Sequence, residues 1–236
     1  MFLVLALASI PFSYDGSILP GRTLTVRNVN GGIRVHTGDR LQIRAEKHAQ
    51  RSDPNAVTIR VDQRAGGIVV CVRYPGYADR PCDEDANMRN VDNDTTVDFD
   101  ITLPHGVALD ASSVNGAVEA RTDGTIDART VNGSVRAEGR DVRSVATVNG
   151  SVHVRVLDRS RGTLEAKTVN GSIDVALPAG TGVRLEAKTL TGGITADGLT
   201  VERPRYGPGA SANGTAGDGA RHLTLETVNG SITLTR

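Results

Sequence analysis

The chain has 236 residues, of which 38% are hydrophobic and 3% aromatic, enough apolar content for a core and too much for a disordered chain. Its 27 Lys and Arg balance its 27 Asp and Glu, which removes the basic footprint of a protein that tracks phosphates and excludes nucleic acid as the expected partner. No Phe or Tyr lies between Phe99 and Tyr206, and there is no Trp, so this long span lacks the flat rings on which bases, and commonly sugars, stack.

Met1 to Ser13 carry no charge. Ala6-Leu7-Ala8 has the small-x-small form of an export cleavage site, and the run is too short to span a bilayer. Residues 1–13 are therefore read as an apolar leader of an exported protein, with no transmembrane segment in the mature chain. The run is short and no Lys or Arg precedes it, so the competing reading is a buried first strand.

Residues 14–110 read as an N-terminal β region. Leu24, Val26, Ile33, Val35, Leu41 and Ile43 alternate with polar residues at the period of two expected of half-buried strands. Val57, Ile59 and Val61, then Ile68, Val70 and Val72, predict two more strands separated by Ala65-Gly66-Gly67. Cys71 and Cys82, the only two cysteines, bracket the turn-rich Tyr74-Pro75-Gly76-Tyr77. A disulfide between them suits an exported protein and would remove ~2 to 3 kcal/mol of denatured-state entropy; the alternative is two free thiols. Without a nearby histidine pair they make a poor zinc site. Tyr74 to Thr95 reads as a loop. Within it Asp83-x-Asp85-x-Asn87, with Asp94 further on, imitates a calcium loop, but Met88 occupies the glycine position and no helices flank it. Val97, Phe99, Ile101 and Leu103 resume the alternation, and Pro104-His105-Gly106 turns it.

Residues 111–236 are a repeat array. Val-Asn-Gly occurs six times, with its turn residues at Asn30-Gly31, Asn115-Gly116, Asn132-Gly133, Asn149-Gly150, Asn170-Gly171 and Asn229-Gly230, and Leu190-Thr191-Gly192 is a worn seventh copy. From Asn115 the steps are 17, 17, 21 and 21 residues, then 38, a periodicity that marks a solenoid or an array. Arg203 to Gly219, rich in Gly, Ala and Pro, interrupts the count and reads as a long exposed loop, with Asn213-Gly214 a relic of a turn. No segment has a helical period of apolar residues.

Two architectures compete for these repeats. Asn-Gly favours the type I′ turn of a two-residue hairpin, which would give an antiparallel meander or sandwich. The other is a parallel solenoid of about 17- to 21-residue rungs with Asn-Gly at a shared corner. In a hairpin the valine before Asn would lie on the charged face in every copy; at a solenoid corner it can turn inward. Burial of that valine is the expectation, and it favours the solenoid. The Asn side chains would then stack in a column while Gly lets the backbone turn, a structural role; the alternative is that the Asn residues line a ligand groove.

Catalytic chemistry is not evident. His36, His48, His105, His153 and His222 are scattered and read as surface residues. There is no nucleophile elbow, phosphate loop or dinucleotide fingerprint. Glu119/Arg121, Asp127/Arg129, Arg136/Glu138, Glu165/Lys167 and Glu186/Lys188 read as a solvated face of alternating sign. No catalytic residue, cofactor or metal is assigned.

Leu19-Pro20-Gly21-Arg22-Thr23-Leu24-Thr25-Val26, Asn28-Val29-Asn30-Gly31-Gly32-Ile33-Arg34-Val35 and Ala45-Glu46-Lys47-His48-Ala49 resemble the opening of the bacterial putative-adhesin family, a domain of unknown function in cell-envelope proteins. Val97-Asp98-Phe99-Asp100-Ile101-Thr102-Leu103-Pro104-His105-Gly106-Val107 and the serial Thr-Val-Asn-Gly-Ser-Val are similar to its later part. The resemblance implies a right-handed β-helix-like fold in the periplasm, envelope or cell surface, and brings no catalytic residues. The reading is a non-enzymatic exported β-solenoid that binds or scaffolds at the envelope, with a protein or polysaccharide ligand and the capacity to self-associate. The alternatives are a polysaccharide-active β-helix enzyme and a self-assembling filament.

Overall fold

A computed structural model of the chain describes residues 9–76, 82, 93–202 and 208–236. The chain is all-β. Its strands are β1 (Ser9–Gly16), β2 (Thr23–Arg27), β3 (Ile33–Gly38), β4 (Leu41–His48), β5 (Thr58–Arg64), β6 (Gly67–Arg73), β7 (Thr96–Pro104), β8 (Ala108–Ser112) and β9 (Val118–Arg129). They continue as β10 (Val135–Ala146), β11 (Val152–Val156), β12 (Gly162–Lys167), β13 (Ile173–Ala176), β14 (Val183–Thr191), β15 (Ile194–Ala196), β16 (Ala210–Ala216), β17 (Arg221–Asn229) and β18 (Ile232–Thr235). All join one large sheet of mixed parallel and antiparallel pairs, and the single helical turn among the described residues is Pro54–Ala56.

The pairing through the repeats is parallel and in register with the sequence copies. Val118, Val135 and Val152 are partners across β9, β10 and β11, and the row continues through Ile173, Ile232 and Ile194. A second row runs through Val70, Val26, Ala111, Ala128, Val145, Ala166, Leu225 and Ala187. Every member of both rows is buried. The period-two alternation of the sequence thus becomes two stacked aliphatic columns, each side chain packing on its counterpart in the neighbouring strand.

Stacking order departs from chain order twice. β2 and β3 lie between β6 and β7 on one side and β8 and β9 on the other. β17 and β18, last in sequence, lie between β12 and β13 on one side and β14 and β15 on the other. Antiparallel strands flank the parallel stack: β4 on β7 with β1 outside it, β5 on β6, and β16 on β14. The 203–219 stretch expected as a loop thus contains β16, with Ala210, Ala212 and Ala216 buried and Asn213 paired to Glu186; residues 203–207 lie outside the described residues.

The strands meet at corners built by Thr-Val-Asn-Gly. The expectation that the valine points inward is overturned. Val131, Val148, Val169 and Val228 are 37–39% exposed and Leu190 57%, while only Val29 is buried and Val114 is half-buried. The inward place belongs to the preceding residue. Thr130, Thr147, Thr168, Thr227 and Thr189 are buried, and each hydroxyl donates to the glycine carbonyl of the adjacent copy: Gly116, Gly133, Gly150, Gly171 and Gly230 at 2.8–2.9 Å. Ser113 does the same to Gly31 at 2.9 Å. Valine cannot supply that bond, and an unmet buried carbonyl costs roughly 1–3 kcal/mol, so threonine turns in and valine turns out.

Tyr74 lies beside Asn30, at the start of the corner column. Its ring is buried, its hydroxyl donates to the Thr95 carbonyl at 2.8 Å, and burial pushes its pKa up to about 12. Because the folded value lies above the ordinary one, the associated stability is complete below about pH 10 and is lost as pH rises toward 12.

Thr147→Val is expected to lower stability by ~1–2 kcal/mol while Val148→Thr changes it by less than ~0.5 kcal/mol, measured by denaturant unfolding; the reverse ranking would put valine inside. Tyr74→Phe should narrow the loss of Tm between pH 10 and 12 relative to the parent chain, read by circular dichroism.

Candidate binding surface

Outward valines on successive strands line one wall of a groove that runs across the parallel strands. At one end a depression of about 550 Å³ is lined by Ser113, Thr130 and Thr147, with Val114, Val131 and Val148 on one side and Arg27, Asp110 and Arg129 on the other. It meets, at Thr147, a second depression of about 620 Å³. There Val169, Val228 and Leu190 form the apolar side and Lys167, Glu226 and Lys188 the charged side, and Pro208 to Ser211 stop the end. The threonine hydroxyls on the floor are already committed to glycine carbonyls, so the floor offers mainly methyl groups.

The charged wall is internally paired. Arg27 meets Asp110 at 2.5 Å and Arg129 meets the same carboxylate at 3.2 Å. Lys167 binds Glu165 at 2.5 Å and Glu226 at 3.3 Å, and Lys188 binds Glu186 at 2.7 Å. The hydrogen bond it donates to Glu165 holds the Lys167 ammonium above its ordinary pKa, with Glu226 adding to it. Lys188 is raised and Glu186 lowered by their shared bond. Parallel register also sets opposite charges in facing positions away from the groove: Arg136 stands opposite Glu119, and Glu138 opposite Arg121 and Arg155. Exposed ion pairs contribute at most about 1 kcal/mol each, but they engage Arg27, Arg129, Lys167 and Lys188 beside the apolar row.

Along the corner itself the six Asn residues form one column. Asn115, Asn132, Asn149, Asn170 and Asn229 each donate from Nδ2 to Oδ1 of the preceding column member, Asn30 accepting the first, at 2.8–2.9 Å. The glycines beside them stack backbone on backbone. A Cβ at Gly133 would lie 2.3 Å from the Gly116 carbonyl oxygen, and at Gly150 or Gly171 only 2.0 Å from the preceding one.

The remaining sequence candidates are dispersed. His36, His48, His105 and His153, read as isolated surface residues, lie at the surface but each faces a carboxylate: Asp100 at 3.5 Å, Glu46 at 3.3 Å, Asp123 at 2.6 Å and Asp174 at 3.1 Å. Glu46 lies two residues from His48 on the same strand, whereas the other three partners are 18 or more residues away in sequence, where linear spacing misses them. Asp83, Asp85 and Asn87 of the calcium-like run lie outside the described residues. Asp94 accepts the backbone N–H groups of Arg51 and Ser52 at 3.0 and 2.9 Å, which lowers its pKa to about 2, the Ser52 bond being the largest cause. Its oxygens fasten the turn after β4. Among the described residues no group of three His, Cys, Asp or Glu could hold a metal ion. Cys71 and Cys82 are joined in a disulfide, and the Cys82 N–H donates to Asp62 at 2.9 Å. Among the described residues no helix is long and apolar enough to cross a membrane.

This all-β fold has a solved counterpart. A crystal structure of a putative cell adhesion protein from Clostridium sporogenes matches over 96% of this chain and 99% of its own, with 16% identity and a TM-score of 0.51; at that identity the likeness is one of fold. Putative adhesins from Bacteroides fragilis and Parabacteroides distasonis each match over 95% of this chain and 97% of their own, at 10% identity, with TM-scores of 0.31 and 0.29. No family model and no curated protein matches the sequence.

Because the folded pKa of Asp94 is depressed, its stabilising bonds are complete above about pH 4 and lost as pH falls toward 2. Asp94→Asn is therefore expected to lower Tm at pH 6, with the gap to the parent chain closing between pH 4 and 2 in calorimetry.

Proposed function

We propose that the chain is an exported, non-enzymatic β-solenoid that acts at the cell envelope as an adhesive binding or scaffold protein. In this reading the repeats wind as a right-handed coil with rungs of about 17 to 21 residues, Asn and Gly form its structural corner, and the parallel register supports the winding. The Cys71–Cys82 disulfide supports an oxidising compartment. The likeness in fold to a protein described as a putative cell adhesion protein supports the adhesive role.

The observation that carries the reading is the row Val131, Val148, Val169, Val228 and Leu190, exposed in consecutive layers. A contiguous apolar stripe beside a row of paired charges marks an interaction site. Its partner is a protein. Among the described residues the wall is aliphatic and has no aromatic ring on which a sugar would stack, and the described carboxylates of the groove, Asp110 and Glu226, are each bound to a basic side chain, unlike the converging acid pair of a glycoside hydrolase.

The test is adhesion of the purified chain to envelope preparations. Val148→Lys with Val169→Lys should reduce the bound fraction at least tenfold with Tm within a few degrees of the parent. Protease treatment of the envelope should abolish binding and periodate oxidation of its sugars should not. Undiminished binding by the double variant would refute the assignment of the row.

A further inference from the structure

The last layer in sequence is not the last layer in space. β12 and β13 are followed in the chain by β14 and β15, then by β16, and only then do β17 and β18 return to fill the position between the first two pairs. That position is one layer wide. Its two walls are complete before the filling segment is reached, and both bind it in parallel: Gly162 to Lys167 and Ile173 to Ala176 on one side, Val183 to Thr191 and Ile194 to Ala196 on the other.

Nothing in the corner distinguishes the chain's own segment from another copy of it. Thr227-Val228-Asn229-Gly230-Ser231 repeats Thr168-Val169-Asn170-Gly171-Ser172 residue for residue. The bonds that seat it are the same ones that join all the other corners: Asn229 Nδ2 to Asn170 Oδ1 at 2.8 Å, Thr227 Oγ1 to the Gly171 carbonyl at 2.9 Å, and Thr189 Oγ1 to the Gly230 carbonyl at 2.9 Å. Identical register signals specify pairing without specifying which molecule supplies the strand.

The same segment carries an unusual cost. Arg221 opens β17, is fully buried, and stacks over Gly162, whose missing side chain leaves it room. Its Nη2 donates to the carbonyl and hydroxyl of Ser160 at 2.9 and 3.1 Å and lies 3.6 Å from Asp158, but Nε and Nη1 have no partner. A buried guanidinium with two unmet donors penalises the closed state. The register partners of Arg221 on the two sides, Gly162 and Val183, have no side-chain acceptor for these donors, so opening of this layer is opposed less than that of a wholly aliphatic one.

We propose that Arg221–Arg236 is an exchangeable layer: it fills the slot between β12–β13 and β14–β15 of its own chain, and fills the same slot in a second copy, joining the two by strand exchange. The partner is another molecule of this chain, and the bonds made are those seen here.

Ser172 and Ser231 report occupancy, because their hydroxyls lie 3.1 Å apart in neighbouring strands. Full-length Ser172→Cys and Ser231→Cys chains are mixed, held some degrees below Tm, cooled and oxidised. The double variant Ser172→Cys/Ser231→Cys, which links within one chain, verifies that the pair closes. Exchange predicts a linked dimer from the mixture at least fivefold above either single variant alone, and none above that background when Ser151→Cys replaces Ser172→Cys, since Ser151 pairs one layer away. Arg221→Met, which removes the unmet donors and keeps the length, should reduce the linked fraction several-fold. A mixture that stays at background while the double variant links, or equal linkage at positions 151 and 172, would overturn the proposal. Neither outcome bears on the valine row, whose test reads envelope adhesion by the monomer.

Discussion

The structure depends on how closely two backbones approach at the corner. Adjacent strands in a sheet lie ~4.8 Å apart, and at the Asn-Gly corner the carbonyl of one glycine occupies the place where a side chain of the next would begin. A Cβ at Gly230 would sit 1.9 Å from the Gly171 oxygen, and at Gly116 2.0 Å from that of Gly31. Glycine is thus required by its neighbour's backbone. Once the glycines stack, their carbonyls turn inward and need a donor, and the threonine or serine two positions after the last inward strand residue supplies it. The inward threonine forces the next residue out. The aliphatic row, its groove and the asparagine column all follow from that one contact.

Much of the all-β character was legible because period-two alternation maps directly onto burial: Ile126 and Ala128, Leu164 and Ala166, Ile173 and Val175 are all buried. The spacing of Asn115, Asn132, Asn149 and Asn170 likewise matches the bridges that join them in parallel. What failed was the argument from valine. Hydrophobicity alone sends valine inside, and it outweighed a quieter signal, the hydroxyl residue before it in six copies, Ser113, Thr130, Thr147, Thr168, Thr189 and Thr227. A repeated hydroxyl next to a close-packed glycine indicates an acceptor to be satisfied, which linear pattern cannot show until the backbones are placed. The layer order was not legible either. β2 pairs with β6 and β8, and β17 with β12 and β14; near-identical repeats leave no sequence mark of which copy neighbours which.

The charged residues behave as a lattice. Reading Glu119/Arg121 and Arg136/Glu138 along the chain shows only alternation, but parallel register inverts the second pair against the first and turns like positions into opposite charges. The histidine partners arise the same way: His153 stands opposite Asp174 across β11 and β13. A surface neutralised this locally has little long-range field to steer a charged partner. In the proposed binding role, recognition falls to the apolar row, where shape and desolvation act at short range.

The corners also bear on how the protein ages. An asparagine followed by glycine is the pair most prone to lose its amide in water, because the glycine nitrogen attacks the side-chain carbon and closes a succinimide ring. Here the Gly116, Gly133, Gly150 and Gly171 nitrogens are engaged with the Asn132, Asn149, Asn170 and Asn229 carbonyls at 2.9–3.0 Å, and the side-chain amides are held along the column. The ring cannot close without breaking both sets of bonds, so the array suppresses the reaction its own sequence invites. Deamidation becomes a chemical clock for corner opening: it should mark first the copies that breathe most, and each aspartate so formed loses the donor that bonded the preceding member of the column.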